Sequence, residues 1–151
     1  MRFMMIVKAS RLSEAGALPN ETSMAAMGKY NEELQKAGVL LDMSGLKPTS
    51  KGARVKYANG KVTVVDGPFV ESKELVGGYW IIQVKSKEEA IEWAKRIPFE
   101  ATSPPGEGTE VELRQYYELE DFAPGPAIEA ERELVKKLSA GAGAGTGVHK
   151  G

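Results

Sequence analysis

Two segments of this chain carry bulky apolar side chains at consecutive positions. In Arg2 to Lys8, strict alternation puts Phe3, Met5 and Val7 on one face and Met4 and Ile6 on the other. Gly78 to Lys85 repeats the pattern, with Trp80, Ile82 and Val84 opposite Tyr79 and Ile81. Both read as strands, and successive side chains of a strand point to opposite faces of its sheet. A sheet built on them is apolar on both sides, and each side needs a cover.

The rest of the pattern supplies a cover for one side. A helix is expected over Thr22 to Ala37, with Met27, Tyr30, Asn31, Leu34 and Ala37 along one stripe and Lys29, Glu32, Glu33 and Lys36 facing water. Gly38 stops it. Ser86-Lys87-Glu88-Glu89 is a capping box that opens a second helix, whose buried stripe is Ala90, Trp93, Ala94 and Ile97 and whose end is Pro98. Val39 to Leu46 and Val111 to Tyr117 read as strands. Ala53 to Tyr57 and Lys61 to Asp66 form a hairpin, because Asn59-Gly60 suits a turn that needs positive φ at both central residues. Ser10 to Asn20 and Phe99 to Thr109 read as loops. The order β-α-β, hairpin, β-α-β predicts an α+β fold, a ferredoxin-like protomer with an extra β-hairpin.

Both helices of that plan lie on one face of the sheet. The other face would present a contiguous apolar patch to water, and such patches mark interaction surfaces. Burying each additional Trp, Ile or Met gains roughly 1.5–3 kcal/mol. The simplest cover is a second copy packed through a twofold axis, so a homodimer is expected. The alternative is that the hairpin or the C-terminal helix folds across that face within one chain.

The 151 residues suit one domain over 1–118, followed by an extension over 119–138 with a short helix opened by Pro126, and a Gly/Ala-rich, flexible tail over 139–151. A net charge of −1 offers no electrostatic footprint for nucleic acid or an anionic membrane, so neither is expected as a partner. Without cysteine there is no disulfide framework and no thiolate chemistry. The apolar run Phe3 to Val7 is too short for a secretion signal or a membrane span, and the expected location is cytoplasmic. The single histidine, His149, sits in the glycine-rich tail, which excludes a histidine-dependent triad in the core. No HExxH and no clustered His/Asp/Glu set appears, and no metal or cofactor is expected.

The most distinctive run is Asp66-Gly67-Pro68-Phe69-Val70-Glu71-Ser72-Lys73-Glu74, followed by Gly77-Gly78-Tyr79. Its first four residues have an explanation as a rigid turn: Asp66 bonding nearby amides, Gly67 taking positive φ, Pro68 setting the exit and Phe69 plugging the core. A functional reading aims Asp66, Glu71, Lys73 and Glu74 into a cleft, where carboxylates beside a lysine act as general base and electrostatic clamp. Asp66 and Lys73 are the candidate catalytic pair. Asp42 is a carboxylate on a mostly apolar strand, so it belongs at an edge, in an ion pair or in a pocket, with Arg54 and Arg114 the expected partners. Tyr79 needs a partner for its hydroxyl if buried. Asp42, Arg54, Glu71, Glu74, Tyr79 and Arg114 are the candidate ligand-binding residues. Met4, Met5, Met24, Met27 and Met43 read as core filling, or as the wall of an adaptable apolar pocket.

The long motif resembles the DGPF signature of the YCII-related family. Ala37-Gly38-Val39-Leu40, Gly45-Leu46 and Glu89-Ala90 through Trp93-Ala94 to Pro98 extend the resemblance over Arg2 to Tyr117. It implies a dimeric α+β barrel of ferredoxin-like protomers with a cleft between sheet and helices. One branch of that family resembles small-molecule lyases or dehydrochlorinases that use a His-Asp pair, which this chain lacks in its core. The DGPF branch is also linked by genomic neighbourhood to alternative sigma factors. The resemblance thus implies an unidentified small organic ligand, with acid–base, lyase-like chemistry at Asp66 and its neighbours. The alternative is a non-catalytic regulatory module, such as a sigma-factor accessory, docking through its C-terminal helix and tail.

Overall fold

The structure is a computed structural model that describes residues 1–70 and 74–144. Contacts divide the chain into two units, Met1–Tyr116 and Tyr117–Gly151. In the first unit, β1 (Arg2–Lys8), β2 (Leu40–Gly45), β5 (Val76–Gln83) and β6 (Val111–Gln115) form one sheet in the order β2-β5-β1-β6. Every neighbouring pair in it is antiparallel. This is the strand order of a ferredoxin-like fold, and it places the two strands that are apolar on both faces at the centre.

Helices α2 (Glu21–Lys36) and α3 (Lys87–Lys95) supply the core against one face of this sheet. Asn20 caps α2 by accepting the Ser23 N–H at 2.9 Å, and Ser86 caps α3 by accepting the Glu89 N–H at 3.1 Å. The Glu89 carboxylate reaches past the cap residue to the Lys85 N–H at 2.8 Å. The core joins Phe3, Met5, Trp80, Ile82 and Val84 from the sheet with Tyr30 and Leu34 of α2 and Ala90 and Trp93 of α3. Met5, Leu34 and Ile82 have no exposed surface. Tyr30 locks the two helices together: its hydroxyl donates to the Trp93 carbonyl at 2.7 Å, and its ring meets Trp80 edge-on at 5.5 Å. Burial drives the Tyr30 pKa up, so the phenol stays a donor well into alkaline solution.

The stretch before α2 differs from the loop expected there. It holds a short helix, α1 (Arg11–Glu14), opened by a reciprocal box in which Ser10 and Ser13 satisfy each other's N–H groups. A second short helix, α4 (Phe99–Thr102), lies in what the prolines and glycines suggested was loop.

The hairpin of β3 (Ala53–Ala58) and β4 (Lys61–Asp66) forms its own two-stranded sheet. Asn59 and Gly60 have φ of 51° and 72°, the doubly positive turn anticipated from their identities. Val55 faces Val64 and Tyr57 faces Val62 across it. These four side chains are exposed, Tyr57 at 78% and Val64 at 66%, so the hairpin does not bury its apolar face on the large sheet.

The face of the large sheet opposite the helices is defined by register. Asp42, Ile81, Met4 and Arg114 form one row across it, and Ser44, Tyr79, Ile6 and Glu112 the next. Its centre is apolar and its two edges are polar.

The second unit contains a helical turn at Leu119–Asp121 and α5 (Pro126–Ala144). Arg132 bridges Glu120 at 3.4 Å and Glu129 at 3.6 Å, and the rings of Tyr117 and Phe122 meet at 5.2 Å. The helix runs past Ser139, where composition suggested a flexible tail, because alanine favours the helix and offsets its glycines. His149 lies outside the described residues. Among the described residues no helix is long and apolar enough to cross a membrane.

Candidate functional site

A cavity of about 690 Å³ opens between the helix-covered face of the sheet, the segment from α1 to α2 and the loop after β2. Met24, Met27, Met43, Leu46, Trp80 and Phe99 give it an apolar wall. α2 places two polar groups in that wall. Ser23 is only 7% exposed, and among the described residues its hydroxyl has no hydrogen-bond partner. Asn31 accepts the Trp80 indole N–H at 2.8 Å through Oδ1, and among the described residues its amide NH2 has no acceptor. A neighbouring groove of about 720 Å³ shares Lys8, Ser10, Thr102, Ser103 and Thr109 with the cavity and is otherwise bounded by charged and loop residues, Arg11, Glu74 and Glu107 among them.

The Asp-Gly-Pro-Phe turn is tied to this region through the helical turn at Thr49–Lys51. The Glu14 carboxylate accepts from the Thr49 N–H at 3.1 Å and the Thr49 hydroxyl at 2.6 Å. The Thr49 hydroxyl oxygen accepts the Phe69 N–H at 3.0 Å, and the Gly67 N–H donates to Gly52 at 3.0 Å. Gly67 does not take the positive φ expected of it; it is packed so tightly on the Thr49 carbonyl that a Cβ there would collide with main chain. Arg54 lies over the Phe69 ring, 4.0 Å from its centroid.

On the open face, Tyr79 donates to Asp42 Oδ2 at 3.3 Å, while Oδ1 accepts the Met43 N–H at 2.8 Å. The neighbouring Asp42 charge holds the Tyr79 pKa above the usual tyrosine range. Tyrosine is therefore the partner of Asp42, in place of the arginines expected from sequence. Arg114 sits at the opposite edge of the same row, three strand spacings or roughly 14 Å away, and pairs with Glu112 at 3.4 Å. Arg54 is engaged by Phe69 on the hairpin.

A family model for the YCII-related domain matches residues 1–116, the whole first unit. The chain belongs to the YCII-related family. A curated relative, an uncharacterized protein of Rhizobium meliloti (strain 1021), is 32% identical over 78 residues, covering 52% of this chain and 63% of that one. The chain thus spans less than two thirds of that relative's length. A solved structure, the 5-chloro-2-hydroxyhydroquinone dehydrochlorinase TftG from Burkholderia phenoliruptrix AC1100 in complex with 2,5-dihydroxybenzoquinone, aligns with a TM-score of 0.43 at 14% identity. That alignment covers 78% of this chain and 94% of TftG.

The residues singled out from the sequence fall at separate places in this YCII-related domain. Asp66 is exposed at the end of β4 and does not line the cavity. Glu71 and Lys73 lie outside the described residues. Glu74 borders the polar groove, Tyr79 follows the cavity edge along β5 but turns its hydroxyl to Asp42 on the open face, and Asp42 and Arg114 occupy the two edges of that face. Ser23, Asn31 and Trp80 were not singled out as site residues. The signal for Asn31 was present, a polar residue inside the apolar stripe of α2.

Proposed function

We propose that this YCII-related protein binds a small organic molecule in the cavity between its sheet and α2. The observation that carries the reading is the pair of polar groups that α2 sets in a mainly apolar wall, the Ser23 hydroxyl, which has no partner among the described residues, and the Asn31 amide. A few convergent polar groups in an apolar cleft are what orient a ligand. The volume lies within the range of small-molecule sites, roughly 300–1,000 Å³. A metabolite screen read by thermal shift tests it, since a binder at 100 times its Kd adds about 2.7 kcal/mol. The bound molecule should move the Trp80 indole N–H resonance and leave that of Trp93, which does not line the cavity. A screen whose hits leave Trp80 unmoved removes the reading.

The second element of the proposal is a homodimer through the open face. Its support is the row Asp42–Ile81–Met4–Arg114, acidic at one edge, basic at the other and apolar between. A twofold axis running along the strands between β5 and β1 stacks two such rows in opposite sense. Asp42 of each copy then faces Arg114 of the other. Light scattering that finds a single subunit at micromolar concentration removes this element.

Acid–base chemistry at Asp66 and Lys73 is a separate proposal, supported by the motif alone. Asp66→Ala and Lys73→Ala separate it from binding. Folding retained with the ligand lost supports a site at the motif, whereas unaltered binding leaves these residues to the turn.

A further inference from the structure

We infer that the molecule taken by the apolar cavity is a small organic acid, with an aromatic or branched apolar body and a carboxylate or similarly acidic head. This rests on the reading that the cavity binds a ligand, and it is carried by the balance of charge and hydrogen-bonding groups in the lining. Among the described residues that line the cavity, the only charged ones are Lys8 and Lys47, and there is no aspartate or glutamate. Lys8 turns its amine to Glu112 of the open face at 3.7 Å, so Lys47 carries the unbalanced charge of the lining. Lys47 is exposed and enters none of the ion pairs among the described residues. A cleft with low-dielectric walls and unbalanced positive charge concentrates anions and repels amines.

The neutral hydroxyls in the lining do not decide the ligand's charge, since Ser13 and Thr102 give their protons to the main-chain carbonyls of Ser10 and Pro98 and keep lone pairs that accept. The amide of Asn31 is the neutral group that points the same way as the lysines. Asn31 has its oxygen occupied by the Trp80 indole, so what it offers inward is its NH2. The Ser23 hydroxyl is uncommitted. Asn31 and Lys47 are therefore donors awaiting an acceptor, and the Ser23 hydroxyl can either donate or accept. A carboxylate accepts on both oxygens and donates nothing, and charge-assisted bonds of this type are about twice as strong as neutral ones. The methionines Met24, Met27 and Met43, with Trp80 and Phe99, complement an apolar body and adapt to its shape.

One skeleton with three heads makes the test: 4-isopropylbenzoate, 4-isopropylbenzamide and 4-isopropylbenzylamine, titrated into the full chain at neutral pH. The benzoate should shift the Trp80 indole N–H resonance saturably, with Trp93 as the internal control, and bind at least about tenfold tighter than the benzamide. The benzylamine should not bind. Lys47→Met removes an exposed side chain and should leave the fold intact. It should weaken the benzoate by about tenfold, the equivalent of one charge-assisted hydrogen bond, and the benzamide by less. Equal affinity for benzoate and benzamide, or a Lys47→Met variant with undiminished benzoate binding, overturns the acidic ligand class and leaves cavity binding standing. If none of the three compounds moves Trp80, the cavity reading falls with it.

Discussion

The indole N–H of Trp80 and the side-chain oxygen of Asn31 meet at 2.8 Å, joining the central strand β5 to helix α2 at the wall of the cavity. Trp80 is 8% exposed, so without Asn31 its N–H is left largely out of reach of water. Asn31→Leu should therefore cost about 1–3 kcal/mol, the penalty for an unsatisfied buried donor, although it adds apolar surface to an apolar stripe. Asn31→Asp keeps an acceptor and should recover part of the loss. Urea unfolding followed by tryptophan fluorescence measures both. An Asn31→Leu midpoint at or above that of the parent would show that the bond contributes nothing net.

The buried Tyr30 hydroxyl makes stability depend on alkaline pH. Its folded pKa is raised above the ordinary value of 10.0, chiefly by burial. The unfolded chain thus loses this proton first, and the fold holds the phenol neutral where the unfolded chain does not. The contribution is complete below pH 10 and is lost as pH rises beyond it toward the folded pKa. Tyr30→Phe should lower stability near neutrality by about 1 kcal/mol through the lost bond to Trp93, and its stability should fall less steeply than the parent's above pH 10. Chemical unfolding at pH 7, 9, 10 and 11 checks the sign. Parallel curves for the two proteins would contradict it.

The sheet, the two covering helices and the hairpin were legible from sequence because each carries a complete local pattern. Phe3 to Val7 alternates, Tyr30 and Leu34 keep helical spacing, and Asn59-Gly60 permits few other conformations. The cavity was not legible, because it is formed by segments far apart in sequence. Ser23 and Asn31 share a helix, but only the approach of Trp80 from β5 turns Asn31 into a donor facing inward. Asp42 shows the same limit. Its partner depends on which strand lies beside β2 and on the irregularity between Leu40 and Asp42, and neither is encoded locally. The α1 helix was missed because its box uses serine, Ser13, where a glutamate or glutamine is the recognisable sign.

Two glycines of the first unit should respond to alanine in opposite directions. A Cβ on Gly67 meets the carbonyl of Thr49, which is main chain and cannot rotate aside. Gly67→Ala should cost about 3 kcal/mol, at the upper end for overpacking, and disturb the anchor between Glu14, Thr49 and Phe69. Gly28 is exposed within α2 and has nothing within 4 Å of its added carbon. Gly28→Ala should stabilise by about 0.5–1 kcal/mol, because glycine is a poor helix former. Thermal and urea unfolding of both variants decide the matter. A Gly67→Ala protein as stable as the parent would mean that the turn is not held against Thr49.

The proposed dimer makes a demand that a merely sticky surface does not. With the twofold axis along the strands, Asp42 and Arg114 face each other across the interface twice, although within one protomer they stand roughly 14 Å apart. Asp42→Arg and Arg114→Asp should each weaken the dimer by roughly tenfold or more, since each sets like charges against one another. The double variant restores opposite signs and should recover most of the loss. Asp42 also accepts bonds from Tyr79 and from the Met43 N–H, so circular dichroism must first show that each variant keeps its fold. Sedimentation equilibrium then gives the dissociation constants. Additive losses in the double variant would rule out this axis, whereas recovery would fix the relative placement of the two sheets without a further structure. Both charges lie at the rim of the face, so the recovery should shrink in high salt while the apolar contribution of Met4, Ile6 and Ile81 remains.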